Sequence, residues 1–448
     1  MRTLYYNAYI ITMEEGIGIL EDGALLVNNN LIEDIGNSDD MLKKYTNNNK
    51  VDFEGKIMLP GFVNTHTHSV LTVLKGLAED VNTIKAVYGW MTTVNEIITE
   101  EDSYILSRLG QLEILSSGST TIVENSTKMN GVAKASEELG NRIVLSAGKI
   151  HDYELEPIRR GQYIYNKEIG KQTMEEAMLL IEKWNGKADG RITCNLYPHA
   201  TETCSMEILK EIASISKNEK MGVTLHMAQN TREVQRIREV YDKSPIEYME
   251  SVGLLNRNLI SAHCVFLEDS DIELMGNVNS TLAHCPVIIN KRGFTAPTLK
   301  AKKEHVNISL GTDNMFGDII DTMRYVLTSS RIRTGIIEDF TSKEVLEMAT
   351  LNGARAIGRE DDLGSLKIGK IADFIILNKD SINLLGYNSE NIYDLIVLYC
   401  DGSDVEKIYV DGKKVLDKKV DTDLISKVIK EGLKVSEKIW SKLETFDL

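Results

Sequence analysis

Apolar and polar positions along this chain follow two different patterns. Near both ends, short apolar runs are separated by turn-forming Asn and Gly, which is typical of β-strands. These runs are 4–11, 23–27 and 31–35 at the start and 372–377, 405–410 and 413–416 at the end. The pattern predicts a small β domain, expected as a β-sandwich, that is assembled from both termini.

The middle of the chain alternates short apolar runs with longer segments of helical spacing. The apolar runs end near residues 68, 124, 146, 196, 226, 263, 284 and 313. Eight strand–helix units over roughly 250–300 residues predict an α/β fold of the (β/α)8 TIM-barrel type. A doubly wound parallel sheet is the alternative. The predicted divisions are 1–57, 58–362 and 363–448, with a terminal helix near 421–444.

Most of the histidines lie at the ends of these apolar runs. The strand-end residues are His66, His68, His199, His226, His263, His284 and Asp313. Residues two apart on a strand point to the same face, so His66 and His68 can reach one ion while Thr67 points the opposite way. In a parallel barrel the carboxyl ends of the strands share one rim, where the chemistry collects. The sequence therefore predicts a metal site.

A mixed His and Asp set suits a divalent ion. Zn²⁺ is favoured, and Fe²⁺ or Mn²⁺ would also fit. Such an ion lowers the pKa of a bound water from 15.7 to about 7. A carboxylate at the site can take the proton of that water, and Asp313 is placed to do so.

Charge and composition exclude several other classes of protein. The chain has 448 residues and a net charge of −16, which disfavours nucleic acid and anionic membranes as partners. No apolar run approaches the roughly 20 residues of a membrane span. The N-terminus lacks a signal-peptide core, and the five cysteines are odd in number. A reduced, cytoplasmic protein is expected.

Nearly the whole chain resembles the amidohydrolase superfamily. Within it, the nearest branch holds the S-adenosylhomocysteine/methylthioadenosine deaminase-like and chlorohydrolase-like (triazine hydrolase) enzymes. The matching segments are 59–68, 117–121, 198–205, 225–228, 262–265, 284–286, 311–314, 349–354 and 364–373. The resemblance implies metal-dependent hydrolysis of a C–N bond in a small heterocycle such as a purine, pyrimidine or pterin. It also implies a homodimer or higher homo-oligomer.

The resemblance also implies roles for single residues. His66, His68, His226 and Asp313 match the metal ligands, and Asp313 also matches the proton acceptor. His263 matches a residue that polarises the substrate or steadies the attacking water. His199 and His284 match positions that line the substrate pocket. Trp90, in the loop after the first barrel strand, is a candidate for stacking on a planar ring, with loop packing as the alternative.

One residue departs from the family pattern. Many relatives have His-x-x-Glu on the fifth strand, where the glutamate shuttles a proton to the ring, but this chain has Gln229. An amide can hydrogen-bond a ring edge and cannot transfer that proton. Deamination is the leading hypothesis. Removal of an alkylamine or halide, or a catalytically inactive protein that binds metal and ligand, is the alternative.

Overall fold

The computed structural model describes residues 2–81 and 85–444, and this part of the chain forms two sheets. In chain order the strands are β1 (Arg2–Ile11), β2 (Ile19–Asn28), β3 (Leu31–Asn37), β4 (Asn49–Pro60), β5 (Phe62–His68), β6 (Ser119–Glu124), β7 (Arg142–Ile150), β8 (Ile192–Pro198), β9 (Val223–Met227), β10 (Leu259–His263), β11 (Thr281–His284), β12 (Asn307–Leu310), β13 (Asp313–Asn314), β14 (Phe374–Leu377), β15 (Val405–Val410) and β16 (Lys413–Asp417).

Helices fill most of the connections between these strands. They are α1 (Ser38–Lys44), α2 (Thr92–Ile97), α3 (Glu100–Ser116), α4 (Met129–Leu139), α5 (Leu155–Arg159), α6 (Lys167–Trp184), α7 (Met206–Glu219), α8 (Thr231–Tyr241), α9 (Pro245–Val252), α10 (Asp269–Asn277), α11 (Pro286–Asn290), α12 (Thr298–Lys303), α13 (Ile319–Thr334), α14 (Ser342–Met348), α15 (Leu351–Ala356), α16 (Ile392–Leu398) and α17 (Thr422–Leu443). Short 3-10 helices occur at Ser69–Leu74, Thr201–Thr203, Ile382–Leu384 and Gly402–Asp404, and a π-helix at Lys85–Met91.

The nine-stranded sheet is a parallel barrel. Its order, β12-β11-β10-β9-β8-β7-β6-β5-β13, follows the chain without the reversal that a doubly wound sheet requires. Helices connect successive strands, and the predicted (β/α)8 class is confirmed. The continuous apolar runs of the middle region are the buried strands of this barrel, whose two faces are both covered.

The barrel closes between its first and last strands. β12 pairs with β11, and the chain then continues into β13, where Asp313 and Asn314 pair with Thr67 and His68 of β5. Between these two ladders, side-chain hydrogen bonds connect β5 to the end of β12 and the residues that follow it. Thr65 Oγ1 donates to the carbonyl of Leu310 at 2.9 Å, and Asn64 exchanges hydrogen bonds with Thr312. The metal-site candidates of strands one and eight are thereby neighbours.

The seven-stranded sheet contains strands from both termini, as predicted. Its order is β16-β15-β14-β4-β1-β2-β3. β1 and β15 are separated by two strands, which would place them about 14 Å apart in a flat sheet. The rings of Tyr5 and Tyr409 nevertheless lie 5.4 Å apart, so the sheet folds over its own aromatic core. β4 of the small sheet ends at Pro60 and β5 of the barrel begins at Phe62, so only Gly61 connects the two sheets at this point.

A buried ion network joins the two sheets. Arg142, at the start of β7, contacts Asp373 at 3.1 Å and Asp411 at 2.7 Å, and both carboxylates belong to the small sheet or its turns. The terminal helix α17 lies against the barrel: Lys438 donates to Asp102 of α3 at 2.6 Å. All five cysteines are buried and free, and no helix among the described residues is long and apolar enough to cross a membrane.

Candidate functional site

Five of the predicted side chains converge at the carboxyl ends of the barrel strands. His66 Nε2 lies 3.2 Å from His68 Nε2, and His68 Nε2 lies 3.4 Å from His226 Nε2. Asp313 Oδ1 lies 3.8 Å from His66 and 3.6 Å from His68. His263 Nε2 lies 3.9 Å from the other Asp313 oxygen. Four of them are buried, and the side chain of His68 is 10% exposed, so the strand-end pattern brings distant residues to one largely enclosed point.

The spacing of these nitrogens fits a bound divalent ion. Two ligands at about 2.05 Å from a tetrahedral centre lie about 3.3 Å apart, which matches the observed separations of 3.2 and 3.4 Å. The Nδ1 of His226 donates to the carbonyl oxygen of His199 at 2.7 Å, which leaves the Nε2 lone pair free for the ion. His226 therefore has the tautomer that ligation requires, and the spacing of the nitrogens suits a tetrahedral ion.

Burial keeps the three histidines neutral, which is the protonation state that a metal needs. It lowers the pKa of His68 and of His226 to about 3, and it lowers the pKa of His66 well below its usual value. Burial raises the pKa of Asp313, because an isolated carboxylate is costly in a desolvated site. A cation at the centre of the cluster would reverse that cost.

A cavity of about 910 Å³, including its open mouth, lies over the cluster. His68, His199, His226, Gln229, His263 and Asp313 line it. The cavity also contains apolar walls from Leu71, Met91, Val265, Ile288 and Phe294. A concave, largely apolar site with a few polar groups at its base suits a small planar ligand.

Two of the predicted pocket residues lie outside the cavity wall. The side chain of Trp90 packs against the main hydrophobic core, and its neighbours Val87 and Met91 line the cavity in its place. The ring of His284 is buried behind the wall, and neither ring nitrogen has a hydrogen-bond partner among the described residues. Their predicted contact with substrate remains a prediction.

Gln229 lies on a loop that a buried carboxylate holds. Glu233 accepts the backbone N–H of Ala228 at 2.7 Å and that of Gln229 at 2.8 Å. The hydroxyl of Thr201 donates to the same carboxylate at 2.7 Å, which ties the loops after β8 and β9 together. Within the described residues, no hydrogen bond uses the side-chain amide of Gln229, so that amide is available to a ligand.

Two cations that the sequence analysis did not assign to the site, Lys149 and Arg292, also line the cavity. Lys149 follows Gly148 in a register shift between Ala147 and Ile150 of β7, which turns its side chain toward the cavity. Burial lowers the pKa of Lys149 to about 8. Arg292 Nη1 donates to the carbonyl of Val81 at 2.6 Å. For Lys149, the sequence signal of this irregularity is the preceding Gly148, which adopts a φ of +60°.

Comparisons with known proteins agree with this geometry. Residues 57–415 match the model of the amidohydrolase family. The chain is 30% identical over 416 residues to the 5'-deoxyadenosine deaminase of Methanosarcina acetivorans, covering 92% of each chain. It is 31% identical over 421 residues to the 5-methylthioadenosine/S-adenosylhomocysteine deaminase of Pelotomaculum thermopropionicum, covering 93% of each. A zinc-bound adenosine deaminase from Xanthomonas campestris superposes with a TM-score of 0.88 at 22% identity, covering 98% of each chain.

Proposed function

The chain belongs to the amidohydrolase family, and on that premise we propose that it deaminates an amino-substituted purine, with a 5'-modified adenosine as the first substrate to test. It is a metal-dependent hydrolase of C–N bonds, and the curated relatives named above are deaminases. The observation that carries the proposal is the convergence of His66, His68, His226 and Asp313 beneath one cavity. A shared ion explains why three strand ends, those of β5, β9 and β13, present four ligand atoms to the same point.

The proposed roles follow from position in the site. When bound, a divalent ion supplies Lewis-acid activation of the attacking water. Asp313 accepts the proton of that water as the C–O bond forms at the ring carbon. His263 stabilises the charge that develops, and the amide of Gln229 holds the ring edge. When the C–N bond breaks, the proton held by Asp313 passes to the departing amine, and ammonia leaves.

Gln229 supports a second candidate, the removal of an alkylamine or halide from an aromatic heterocycle. A leaving group that needs no proton on the ring tolerates an amide at this position better than adenine does. Glu233 does not replace the missing carboxylate, because it binds the backbone of the loop and does not line the cavity.

Further details belong to the same proposal. Zn²⁺ is the proposed ion, since three imidazoles and one carboxylate suit it and a zinc-bound structural neighbour has the same fold. We also propose action in the cytoplasm as a homodimer or larger homo-oligomer. The proposed division of the chain remains 1–57, 58–362 and 363–448.

A substrate panel tests the proposal. Zinc-loaded protein is incubated with 5'-deoxyadenosine, 5-methylthioadenosine, S-adenosylhomocysteine, guanine, and amino- and chlorotriazines, and released ammonia, amine or chloride is measured. Ammonia from an adenosine derivative supports the first candidate, and amine or chloride from a triazine supports the second. Binding without turnover of any compound would establish the inactive ligand-binding alternative and overturn both.

A further inference from the structure

Glu124, the last residue of β6, is a buried carboxylate that lies beside the His-Thr-His segment of β5. Its side chain is 0% exposed. Oε2 accepts the hydroxyl of Thr67 at 2.6 Å, and Oε1 accepts the backbone N–H of Ser69 at 2.8 Å. The hydroxyl of Ser126 also donates to Oε1. Its partners therefore include the residues on both sides of His68.

This carboxylate has no ion-pair partner among the described residues. No Lys, Arg or His nitrogen in that part of the chain lies within 4.0 Å of it, so hydrogen bonds alone compensate its burial. Burying a carboxylate without a cation lowers the stability of the folded state. An amide or an apolar side chain at this position would avoid that loss of stability. Packing alone therefore does not explain why a carboxylate occupies this position.

The neighbouring Asn125 strengthens the same connection. Its backbone N–H donates to the carbonyl oxygen of Thr67 at 2.8 Å. Its side-chain amide lies 3.0 Å from Nδ1 of His66. Thr67 points away from the ion-binding face, as strand alternation requires, and both its hydroxyl and its carbonyl are held by the end of β6.

We propose that Glu124 is a positioning residue for the metal site, which sets the separation of His66 and His68 by holding Thr67 and Ser69. The two imidazole nitrogens are 3.2 Å apart and must keep that separation to share an ion. Groups that orient metal ligands in this way typically contribute 10–100-fold to metal affinity. The inference rests on the proposed metal site and not on any particular substrate.

The test is the Zn²⁺ affinity of the purified full chain, measured by competition with a chromogenic chelator. Glu124→Ala should weaken Zn²⁺ binding by about 10–100-fold. Glu124→Gln should recover much of that loss, because its amide oxygen can accept from Ser69 while its NH2 faces the reorientable hydroxyl of Thr67. Recovery by Gln identifies hydrogen bonding, rather than charge, as the means of positioning.

Asp271 supplies the matched control. It is also a buried carboxylate, 0% exposed, and it accepts a hydroxyl from Ser244 and the backbone N–H of Glu268. Asp271→Ala should lower the melting temperature of the metal-free protein and leave Zn²⁺ affinity unchanged. If Glu124→Ala lowers only the melting temperature, as this control does, Glu124 is structural and the inference is wrong.

A second variant keeps the inference testable if Glu124→Ala does not fold. Thr67→Val preserves shape and removes the hydroxyl that Glu124 accepts, so Zn²⁺ affinity should fall by a few fold. Thr67→Ser should restore it, and equal affinities for Val and Ser would overturn the inference. Failure of the wild-type chain to bind Zn²⁺ is a different result, since it would overturn the proposed function itself.

Discussion

The carboxylate of Glu233 accepts the backbone N–H of Gln229 at 2.8 Å, so the residue that departs from the family pattern lies on a firmly held loop. Ala228, the residue before it, has a φ of +45°, a conformation that non-glycine residues rarely adopt. The loop position is therefore enforced by the buried carboxylate. The side chain of Gln229 faces the cavity while its backbone faces Glu233.

Replacing Gln229 by Glu tests the chemistry of that side chain. We expect Gln229→Glu to raise kcat for adenosine-type substrates by about 10-fold or more, because general acid–base groups typically contribute 10²–10⁴-fold. Gln235→Glu is the control, since Gln235 lies on the exposed face of α8 and its amide donates to Glu239. A slower Gln229→Glu enzyme on its best substrate would show that the amide is adapted to a leaving group that needs no ring protonation.

Glu233 gives the protein a predicted pH dependence of stability. Burial, together with the nearby Glu202, raises the pKa of Glu233 to about 8. The folded protein therefore keeps a proton that the unfolded chain loses above about pH 4.5. Through Glu233 alone, the unfolding free energy should fall between about pH 4.5 and 8, by at most about 1.4 kcal/mol per pH unit. The buried histidines, whose pKa values are lowered, act in the opposite sense below about pH 6.5, so the Glu233 contribution is the difference between the wild type and a Glu233 variant.

Denaturant unfolding of the metal-free protein across that range measures this effect. Glu233→Gln should remove the part of the slope that Glu233 contributes, and it should lower stability at pH 5 by about 1–3 kcal/mol because its NH2 opposes the N–H of Gln229. Glu239→Gln on the exposed face of α8 should leave the slope unchanged. A slope of the same size in Glu233→Gln would assign the pH dependence to other groups.

Removing the ion should have separate effects on activity and on stability. Chelation should abolish turnover and lower the melting temperature, because a ligand that binds only the folded state stabilises it by mass action. The His226→Asn variant should bind less than one-tenth of the zinc that the wild type binds. Its activity and melting temperature should not change further on chelation. His305→Asn, at a turn residue with a φ of +58°, should behave as the wild type does in elemental analysis.

The ion network between the sheets should matter for stability alone. Arg142→Met leaves Asp373 and Asp411 buried without their partner and should lower the unfolding free energy by about 3–5 kcal/mol. Arg2→Met removes a surface pair with Glu33 and should cost less than about 1 kcal/mol. Equal losses in the two variants, measured by denaturant titration, would contradict this role for the network.

The barrel and the cluster of histidines were predictable from sequence because both depend on local periodicity. Buried parallel strands are continuous apolar runs, and His66, His226 and His263 occur where those runs end. The cavity wall was less accessible to such reasoning. Trp90 and Met91 are adjacent in sequence and both pack in the main core, yet only Met91 also lines the cavity.

Lys149 and Glu124 show two further limits. Lys149 reaches the cavity through a register shift in β7, and a shift by one residue moves a side chain to the other face of a strand. Glu124 ends a predicted strand, but its bonds to Thr67 and Ser69 depend on how β6 pairs with β5. Pairing between strands is a property of the whole fold.

The pairing of Asp313 with Thr67 also sets when the ion can be captured. Thr67 is made early in synthesis and Asp313 some 250 residues later, so a nascent chain emerging from the ribosome holds an incomplete set of ligands. Only a polypeptide that has been translated past its last barrel strand and has joined it to the first can coordinate the ion fully. Full coordination of the proposed ion thus requires a barrel whose synthesis is complete.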